Sequence, residues 1–357
     1  MNKTKTDRKR WNLMRLFLTV LLGSAGGTIF MYLNTPIPWM LGPLTAVMLV
    51  QSLSSFQTFW PVTIKNNGLI VLGVSFGLYF NTESLAAIGP YLLPYVTSAI
   101  AIIAVSILQS LIVTKWINID RLSSVFGAIP GGLTEMVIAG ESLGAKPSYV
   151  IVFQTIRLLL VLFAVPFLVV HMFSSDAAVT ADTLTAEGGA FAALDAAWLV
   201  LPVLAAWKFH RLLPAGWIVI PMLVTAVLAV SPDALPSMPE PIFLAAQAAV
   251  GISLGKQILL QDIKQAGNYG FVYAGLAVSL IIVSFGFGFL LARWTAMDLP
   301  TALLSTAPGG LVEMVLTASM VGADPSVVTS LQLLRILLII LLVPAFLKWL
   351  FKRMIQV

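Results

Sequence analysis

One stretch of this sequence occurs twice, and that duplication constrains the fold more than any other feature. The first copy begins at residue 130, and its repeated residues are Pro130, Gly131, Gly132, Leu133, Glu135, Met136, Val137, Gly144, Ala145, Pro147, Ser148, Val150, Gln154 and Arg157. The second copy begins 178 positions later (308 − 130 = 178), and its matching residues are Pro308, Gly309, Gly310, Leu311, Glu313, Met314, Val315, Gly322, Ala323, Pro325, Ser326, Val328, Gln332 and Arg335. Shared apolar composition does not explain these 14 identities among 28 aligned positions, because they include Glu, Gln, Arg and paired Gly. Each copy is therefore expected to build the same structure, and the motif is the candidate functional site.

The same offset holds outside the motif, so the duplication spans nearly the whole chain. Further repeated pairs are Pro43 and Pro221, Gly73 and Gly251, Gly77 and Gly255, Asp120 and Asp298, and Pro166 and Pro344. We therefore divide the sequence into a basic N-terminus, a first membrane repeat, a linker, a second membrane repeat and a C-terminal tail, at residues 1–12, 13–172, 173–193, 194–353 and 354–357.

The composition predicts an all-α polytopic membrane protein. Of the 357 residues, 59% are hydrophobic and only 10% are charged, whereas soluble proteins carry about 25% charged residues. The mean hydropathy is +0.97. Apolar segments suited to membrane helices lie at about 13–33, 39–56, 66–80, 92–114, 122–143, 148–172, 194–207, 215–230, 242–255, 270–292, 300–320 and 326–347.

The first apolar segment resembles a signal peptide, because it has a basic start, an apolar run and then small residues. However, Pro36 and Trp39, which follow it, recur as Pro214 and Trp217. A segment that belongs to the repeated unit is expected to stay in the protein. We therefore interpret residues 13–33 as a retained first helix.

The fifth apolar segment of each half is interrupted by Pro-Gly-Gly, at residues 130–132 (the first break) and 308–310 (the second break). Proline and paired glycine end a helix, so each segment is divided into two pieces of roughly ten residues, about 15 Å long at helical rise. That length is half the hydrocarbon core of a bilayer. Each interrupted segment is either a re-entrant hairpin or a broken helix that crosses the membrane. Irregular backbone is tolerated at that depth only where protein or water surrounds it.

The distribution of Lys and Arg favours re-entrant segments. If both segments re-enter, each half crosses the membrane five times and almost all basic residues fall on one side, with Arg293 on the other. The positive-inside rule then predicts ten crossings, cytoplasmic termini and an external linker at 173–193. Since five is odd, the halves insert with opposite orientation, as inverted repeats.

The repeated glutamates occupy the third position of the half-helix behind each break, if Gly132 and Gly310 are the N-caps. A carboxylate there satisfies free backbone N–H groups and complements the positive helix end. One interpretation is that Glu135 and Glu313 only cap their helices. Because an ionisable group inside a membrane is a functional candidate, the other is that they bind a coupling cation, carry a proton or contact substrate. The two roles are compatible.

The repeated arginines, Arg157 and Arg335, lie about ten residues into the following helices. Gln154 and Gln332 lie three residues earlier, on the same helical face, and are expected to form a hydrogen-bonding scaffold. Two interpretations stay open for the arginines. Either each Arg neutralises the Glu of its own repeat, or both join the half-helix N-termini in an anion site. With the two breaks, these Glu, Gln and Arg residues form the predicted substrate- or ion-binding site.

Several other chemistries lack the residues that they need. The chain has no Cys and only two His, His171 and His210, too few ligands for a zinc or copper centre. The pattern G-x-S-x-G occurs at 73–77 and 251–255, but a nucleophile elbow needs a strand-to-helix turn and a His partner. The G-x-x-x-G spacing favours close helix packing instead. We expect no enzyme activity, no catalytic residue, no metal, no cofactor and no direct nucleic-acid partner.

The paired P-G-G-L-x-E-M-V blocks, each followed by G-A, P-S and Q-x-x-R, closely resemble the membrane AbrB family, whose hallmark is a duplication. The resemblance covers essentially the whole chain and implies an integral protein of the bacterial inner (plasma) membrane. Members carry labels as regulators of gene expression and as ammonia monooxygenases. A monooxygenase needs a metal site, and the two His do not occupy equivalent repeat positions. Regulation of transcription by this chain would be indirect.

Two functional hypotheses follow from the sequence. The first is a secondary transporter of a small solute or ion, with its site where the two breaks meet near the membrane midplane. The second is a membrane sensor or regulator that binds a ligand there without translocating it. In both, the partners are a small-molecule or ion ligand and the lipid bilayer. The substrate, the coupling ion and the formation of a homo-oligomer stay open.

Cysteines introduced singly at Ala186 and Lys352 should react with a membrane-impermeant maleimide from opposite sides of the membrane, because the linker is predicted to be external and the C-terminus cytoplasmic. Labelling is measured on intact and permeabilised cells. The natural chain, which has no Cys, provides the background. Labelling of both positions from the same side would contradict the ten-crossing prediction.

Overall fold

The computed structural model describes residues 5–54, 56–173, 197–230, 235–265 and 267–355, and all regular elements in these ranges are helices. The first half contains α1 (Lys5–Tyr32), α2 (Pro38–Leu53), α3 (Val62–Gly77), α4 (Thr82–Val113), α5 (Arg121–Ala128), α6 (Leu133–Ser142) and α7 (Pro147–Phe173). After a 3₁₀ turn at Ala197–Leu199, the second half contains α8 (Val200–Phe209), α9 (Gly216–Ala229), α10 (Glu240–Gln257), α11 (Leu260–Gln265), α12 (Asn268–Trp294), α13 (Leu299–Thr306), α14 (Leu311–Met320) and α15 (Pro325–Ile355). The predicted all-α class is confirmed. The predicted linker lies outside the described residues, except for Phe173.

The helices repeat with the same offset as the sequence. Adding 178 to the bounds of α5 and α6 gives the bounds of α13 and α14, and α9, α10 and α15 begin 178 residues after α2, α3 and α7. The predicted interruptions are confirmed, because one helix ends before each break and a second helix begins after it. One difference is that the counterpart of α4 is divided into two helices. The first, α11, ends at Gln265, and the second, α12, begins at Asn268, directly after Gly267 with its positive φ of 52°.

Within the described residues, five helices are long and apolar enough to cross a membrane, and they are Trp11–Tyr32, Thr82–Val113, Pro147–Phe173, Asn268–Trp294 and Pro325–Pro344. Shorter apolar helices are Pro38–Leu53, Val200–Phe209, Gly216–Ala229 and Leu311–Met320. These helices are compatible with a multi-pass membrane protein. The count of ten crossings stays a prediction.

The helices form two compact units, and each unit combines corresponding parts of both sequence halves. Unit 1 contains α1–α3 and α8–α10, and unit 2 contains α4–α7 and α12–α15. The division falls at residue 81 in the first half and at 261 in the second, close to the expected offset (81 + 178 = 259). Both copies of the motif therefore lie in unit 2.

Unit 1 is held together by close approaches of glycine in one half to backbone of the other half. A Cβ at Gly73 of α3 would collide with the carbonyl oxygen of Ile218 in α9, and one at Gly251 of α10 with that of Met40 in α2. Ile218 is the repeat counterpart of Met40 (40 + 178 = 218), so this is one contact made twice. The helix-packing interpretation of the G-x-S-x-G patterns is thus confirmed.

Unit 2 also exchanges partners between the halves. Helix α4 packs against α15, while its counterpart α12 packs against α7. Helices α5 and α13 pack against α7 and α15 of their own halves. The apolar core around α5 and α6 includes Phe126, Ile129 and Met136, together with Ile339 and Val343 from α15. Each half therefore needs the other half to complete its packing.

Gly73→Ala and Gly251→Ala should each lower the melting temperature of the purified protein, because the added methyl group meets backbone that cannot move away. Overpacking of this kind costs about 1–3 kcal/mol. Gly275→Ala in α12 is the matched control, since a Cβ there meets nothing within 4 Å. It should leave the melting temperature unchanged or raise it, because alanine favours helix over glycine by about 1 kcal/mol. Equal melting temperatures in all three variants would contradict the packing account.

Candidate functional site

Each interrupted segment folds into a hairpin of two half-helices. The Asp120 carboxylate caps α5 by accepting the N–H of Ser123 at 3.2 Å. The Ser123 hydroxyl accepts the N–H of Lys146, which follows α6, at 2.7 Å. The chain thus returns after α6 to the point where α5 began, and the break lies at the hairpin tip. In the second copy the same bonds, at 3.0 and 2.8 Å, are formed by Asp298, Thr301 and Asp324.

This geometry decides between the two forms that the sequence allowed. A broken helix that continued across a membrane would place residues 120 and 146 about half a bilayer to each side of the break. The bond between Ser123 and Lys146 brings these ends together instead. We refer to residues 120–146 as hairpin 1 and to residues 298–324 as hairpin 2.

The two glycines of each break leave space for two later residues of the motif. A Cβ at Gly131 would meet the buried Met136 side chain at 2.7 Å, and one at Gly132 would collide with the Glu135 carboxylate. The Glu135 side chain therefore folds back over the N-terminus of its own half-helix, where a carboxylate complements the free N–H groups. The corresponding residues of hairpin 2 are Gly309, Met314, Gly310 and Glu313.

The end of α5 is capped from α7. The Gln154 amide donates to the carbonyls of Phe126 (2.6 Å) and Ile129 (2.9 Å). The Arg157 guanidinium donates to the carbonyl of Gly131 (3.0 Å) and to the Gln154 side-chain oxygen (2.6 Å). The last carbonyls of a helix lack intrahelical partners and carry partial negative charge. Gln154 is therefore the scaffold that the sequence predicted, and Arg157 compensates the C-terminal end of α5.

Hairpin 2 is capped in the same way from α15. The Gln332 amide lies within hydrogen-bonding distance of three carbonyls, those of Leu304 (2.6 Å), Ser305 (3.2 Å) and Ala307 (3.3 Å). Arg335 donates to the carbonyls of Ala307 and Gly309. Both copies donate to the same backbone positions. The Gln-x-x-Arg pattern therefore has a structural role, which is to bind the carbonyls that each break leaves without helical partners.

The hypothesis that each Arg neutralises the Glu of its own repeat is not what the described residues show. Arg157 and Arg335 bind backbone carbonyls at the end of the first half-helix, and neither is in an ion pair with Glu135 or Glu313. The carboxylates instead lie over the start of the second half-helix. The C-terminus of the first half-helix carries about half a negative elementary charge, and the N-terminus of the second carries about half a positive one. A break therefore attracts a cation on one side and an anion on the other.

The two copies lie near each other but have different surroundings. The guanidinium groups of Arg157 and Arg335 are close enough to interact electrostatically, and both Nε atoms are buried without a hydrogen-bond partner. Glu135 is exposed, whereas Glu313 is only 5% exposed. All the predicted site residues lie in unit 2. Of their two carboxylates, that of Glu135 is accessible and that of Glu313 is enclosed.

A small cavity lies beside Arg157. Its volume of about 10 Å³ is close to the minimum that holds one water molecule. Its polar lining is provided by Arg157, Ser106, Gln109 and Tyr273. The cavity therefore has room for about one water molecule beside Arg157 and for no larger group.

Two tyrosines that the sequence did not single out join the halves at the hairpins. Tyr273 of α12 donates to the hydroxyl of Ser124 in hairpin 1 at 2.6 Å. Tyr95 of α4 donates to the carbonyl of Ser305 in hairpin 2 at 3.0 Å. The tyrosines are repeat counterparts (95 + 178 = 273), and each reaches the hairpin of the opposite half. Their identity at the common offset was the signal available in the sequence.

A family model and two known proteins match most of this chain. The family model AbrB, described as "Transition state regulatory protein AbrB", matches residues 39–351. The uncharacterised protein YhjN of Bacillus subtilis (strain 168) is 26% identical over 95% of this chain and 94% of its own length. A protein of Escherichia coli (strain K12) that is named as a candidate regulator, AbrB, is 29% identical over 69% of this chain and 72% of its own length.

Gln154→Leu should destabilise the protein by about 1–3 kcal/mol, because it leaves two buried carbonyls without their donor. Thermal unfolding of the purified protein measures the loss. The control is Thr97→Val, which removes the exposed side-chain bond from Thr97 to the Pro94 carbonyl in the same unit. That loss is expected to be close to zero because the Pro94 carbonyl keeps the Ser98 hydroxyl as a donor. A Gln154→Leu variant as stable as the control would show that the amide does not support the break.

Proposed function

Because this chain belongs to the AbrB family and its helices suit a multi-pass membrane protein, we propose that it is a secondary transporter of a small solute or ion in the bacterial inner membrane. The observation that carries the proposal is the pair of repeat-related hairpins in unit 2. Each hairpin has a broken tip, a carboxylate on one side of the break and a guanidinium on the other. Discontinuous helices with charged ends, one from each repeat, are the usual way in which secondary transporters form a site at the membrane midplane.

Inverted repeats follow from the hairpins if all the remaining helices of the first half cross the membrane, the shorter α2 and α3 included. A hairpin that returns to its starting end adds no crossing. The crossing helices of the first half are then α1, α2, α3, α4 and α7, which is an odd number, so the second half begins on the opposite side. The exchanged packing of α4 with α15 and α12 with α7 supports a two-fold relation between the halves.

The charges at the breaks favour a substrate with an anionic group. A guanidinium carries one positive charge, and a helix C-terminus offsets only about half of it. Two such groups, Arg157 and Arg335, repel each other electrostatically, and the Nε atom of each is buried without a hydrogen-bond partner. An anion between them would remove their mutual repulsion and satisfy those donors.

The glutamates are proposed to carry the coupling ion, either a proton or a metal cation. Glu135 is exposed while Glu313 is enclosed, although both side chains have the same conformation at their breaks. A transporter with inverted repeats alternates by exchanging the environments of its two halves. The different exposure of the two carboxylates is what one end state of that exchange requires.

A second function, a membrane sensor that binds a ligand without moving it, is favoured by one observation. The Escherichia coli relative is named as a candidate regulator, and the description of the family calls it a regulatory protein. A sensor can use the same hairpins and the same charges. It differs from a transporter only in the absence of net or exchange flux.

The test that separates the two functions uses the purified full-length chain. A thermal-shift screen with small carboxylates, amino acids, amines and inorganic ions first identifies compounds that stabilise it. Each stabilising compound is then radiolabelled and used in counterflow into proteoliposomes that contain the same unlabelled compound. Counterflow that depends on the protein supports the transporter. Stabilisation without counterflow would overturn it and leave the sensor.

Glu135→Gln and Glu313→Gln should give folded, membrane-inserted proteins that lose counterflow activity. Glutamine at the same position can also reach the helix N-terminus, and losing a cap costs only about 1 kcal/mol, so melting temperatures should change little. Removal of the ionisable group should abolish coupling. Glu141→Gln, at an exposed position in the same half-helix as Glu135, is the matched control and should stay active. Full activity in both site variants would leave helix capping as the only role.

A further inference from the structure

A pocket in unit 1, separate from the hairpins, has a basic lining. It has a volume of about 580 Å³ and lies where α2 and α10 end. The residues that matter for its chemistry are Arg15, Lys256, Gln51, Thr58, Phe56 and Phe59. None of its lining residues is acidic. We call it the basic pocket.

The duplication supplies a matched second pocket that lacks this charge. This neutral pocket has a volume of about 330 Å³. It is lined by Ala229, the counterpart of Gln51 (51 + 178 = 229), and by Leu78, the counterpart of Lys256 (256 − 178 = 78). At these two positions the same hollow therefore has a cation and an amide in one copy and the apolar side chains of Leu78 and Ala229 in the other. Since the fold forms the hollow without them, the polar groups of the basic pocket need an explanation other than packing.

Both cations of the basic pocket keep hydrogen-bond donors for a ligand. The Lys256 ammonium donates to the carbonyl of Trp60 at 3.3 Å, which uses one of its three donors. The Arg15 Nε is buried without a hydrogen-bond partner. The Gln51 side chain links two segments of the pocket lining. Its oxygen accepts a hydrogen bond from the Thr58 hydroxyl, and its amide nitrogen donates to the backbone carbonyl of Lys256 at 2.9 Å. Guanidinium and ammonium groups together are the usual ligands of a phosphate group.

We propose that the basic pocket binds the phosphate headgroup of an anionic membrane lipid. The apolar surroundings favour a lipid over a soluble phosphate. Phe56 and Phe59 line the same pocket as the cations, and α1 exposes large apolar side chains near Arg15, namely Trp11, Met14, Phe17 and Leu18. A lipid places its phosphate on the cations and its acyl chains along this apolar surface, whereas a free phosphate leaves the surface uncovered.

The side of the membrane is consistent with this ligand. Arg15 and Lys256 belong to the basic residues that the positive-inside rule assigns to the cytoplasm, where the leaflet is rich in anionic lipids. If the halves are inverted, the neutral pocket faces the opposite leaflet. The inference itself needs only the pocket, so it stands whether or not the protein transports a solute.

The first experiment compares lipids on the unmodified full-length protein in detergent. Native mass spectrometry measures the binding of phosphatidylglycerol, which is anionic, and phosphatidylcholine, which is zwitterionic. A photoactivatable phosphatidylglycerol then locates the bound lipid by cross-linking. We expect preferential retention of phosphatidylglycerol and cross-links within residues 51–59 or at the end of α10. Equal binding of both lipids, or cross-links confined to other segments, would overturn the proposal.

The second experiment removes the charge. In Arg15→Gln/Lys256→Gln, phosphatidylglycerol binding should weaken by roughly thirty-fold, which corresponds to about 2 kcal/mol for two basic residues near an anionic headgroup. The double variant Lys208→Gln/Arg211→Gln has the same change in net charge at exposed positions of unit 1 and should bind within about twofold of the wild type. Unchanged binding in the pocket variant would overturn the assignment.

A competition arm distinguishes the source of the phosphate. Inorganic phosphate and glycerol 3-phosphate are added to the complex with phosphatidylglycerol at millimolar concentration. The lipid should stay bound, because the soluble anions lack contacts with Phe56, Phe59 and α1. Displacement of the lipid at low ionic strength by inorganic phosphate, but not by the same concentration of chloride, would show a site for a soluble anion and overturn the lipid proposal.

Discussion

The hydrogen bonding of the backbone at the two breaks is the constraint on which unit 2 depends. Each break exposes carbonyls at the end of one half-helix and N–H groups at the start of the next, and neither set has an intrahelical partner. Gln154 and Arg157 donate to the carbonyls, and the exposed Glu135 carboxylate lies beside the start of the next half-helix. In an apolar interior each unsatisfied group would cost several kcal/mol. The polar residues of the motif are therefore needed for the fold before they can serve a function.

This constraint explains why the motif retains its letters in both copies while the surrounding apolar residues differ. The glycines leave room for Met136 and for the Glu135 carboxylate. Gly144 and Gly322 end the second half-helices with φ of 94° and 70°, a conformation that side chains rarely adopt. A Leu or Val in the core can be exchanged for another apolar residue at low cost. A residue that caps a helix end or turns the chain cannot.

The exchange of partners between the halves makes the duplication one interdependent structure. In unit 1 each glycine of a G-x-x-x-G pair in one half approaches the backbone of the other half. In unit 2, Tyr95 and Tyr273 each reach the hairpin of the opposite half. Such contacts allow the same backbone to present different chemistry in its two copies. One example is that Glu313 is enclosed and its counterpart Glu135 is exposed, and another is that one pocket is basic and its counterpart is neutral.

The sequence by itself determined the helical class, the offset of the repeat and the positions of both breaks, because proline, paired glycine and apolar periodicity act locally. It also identified Glu135, Gln154 and Arg157 as a set, since polar residues that recur in register in an apolar chain need a shared reason. Only the tertiary structure decided that the interrupted segments fold back as hairpins, through the bond between Ser123 and Lys146. Only the tertiary structure also showed that Arg157 caps carbonyls rather than pairing with Glu135. Both outcomes depend on which groups meet across the fold, and spacing along the chain does not specify those distances.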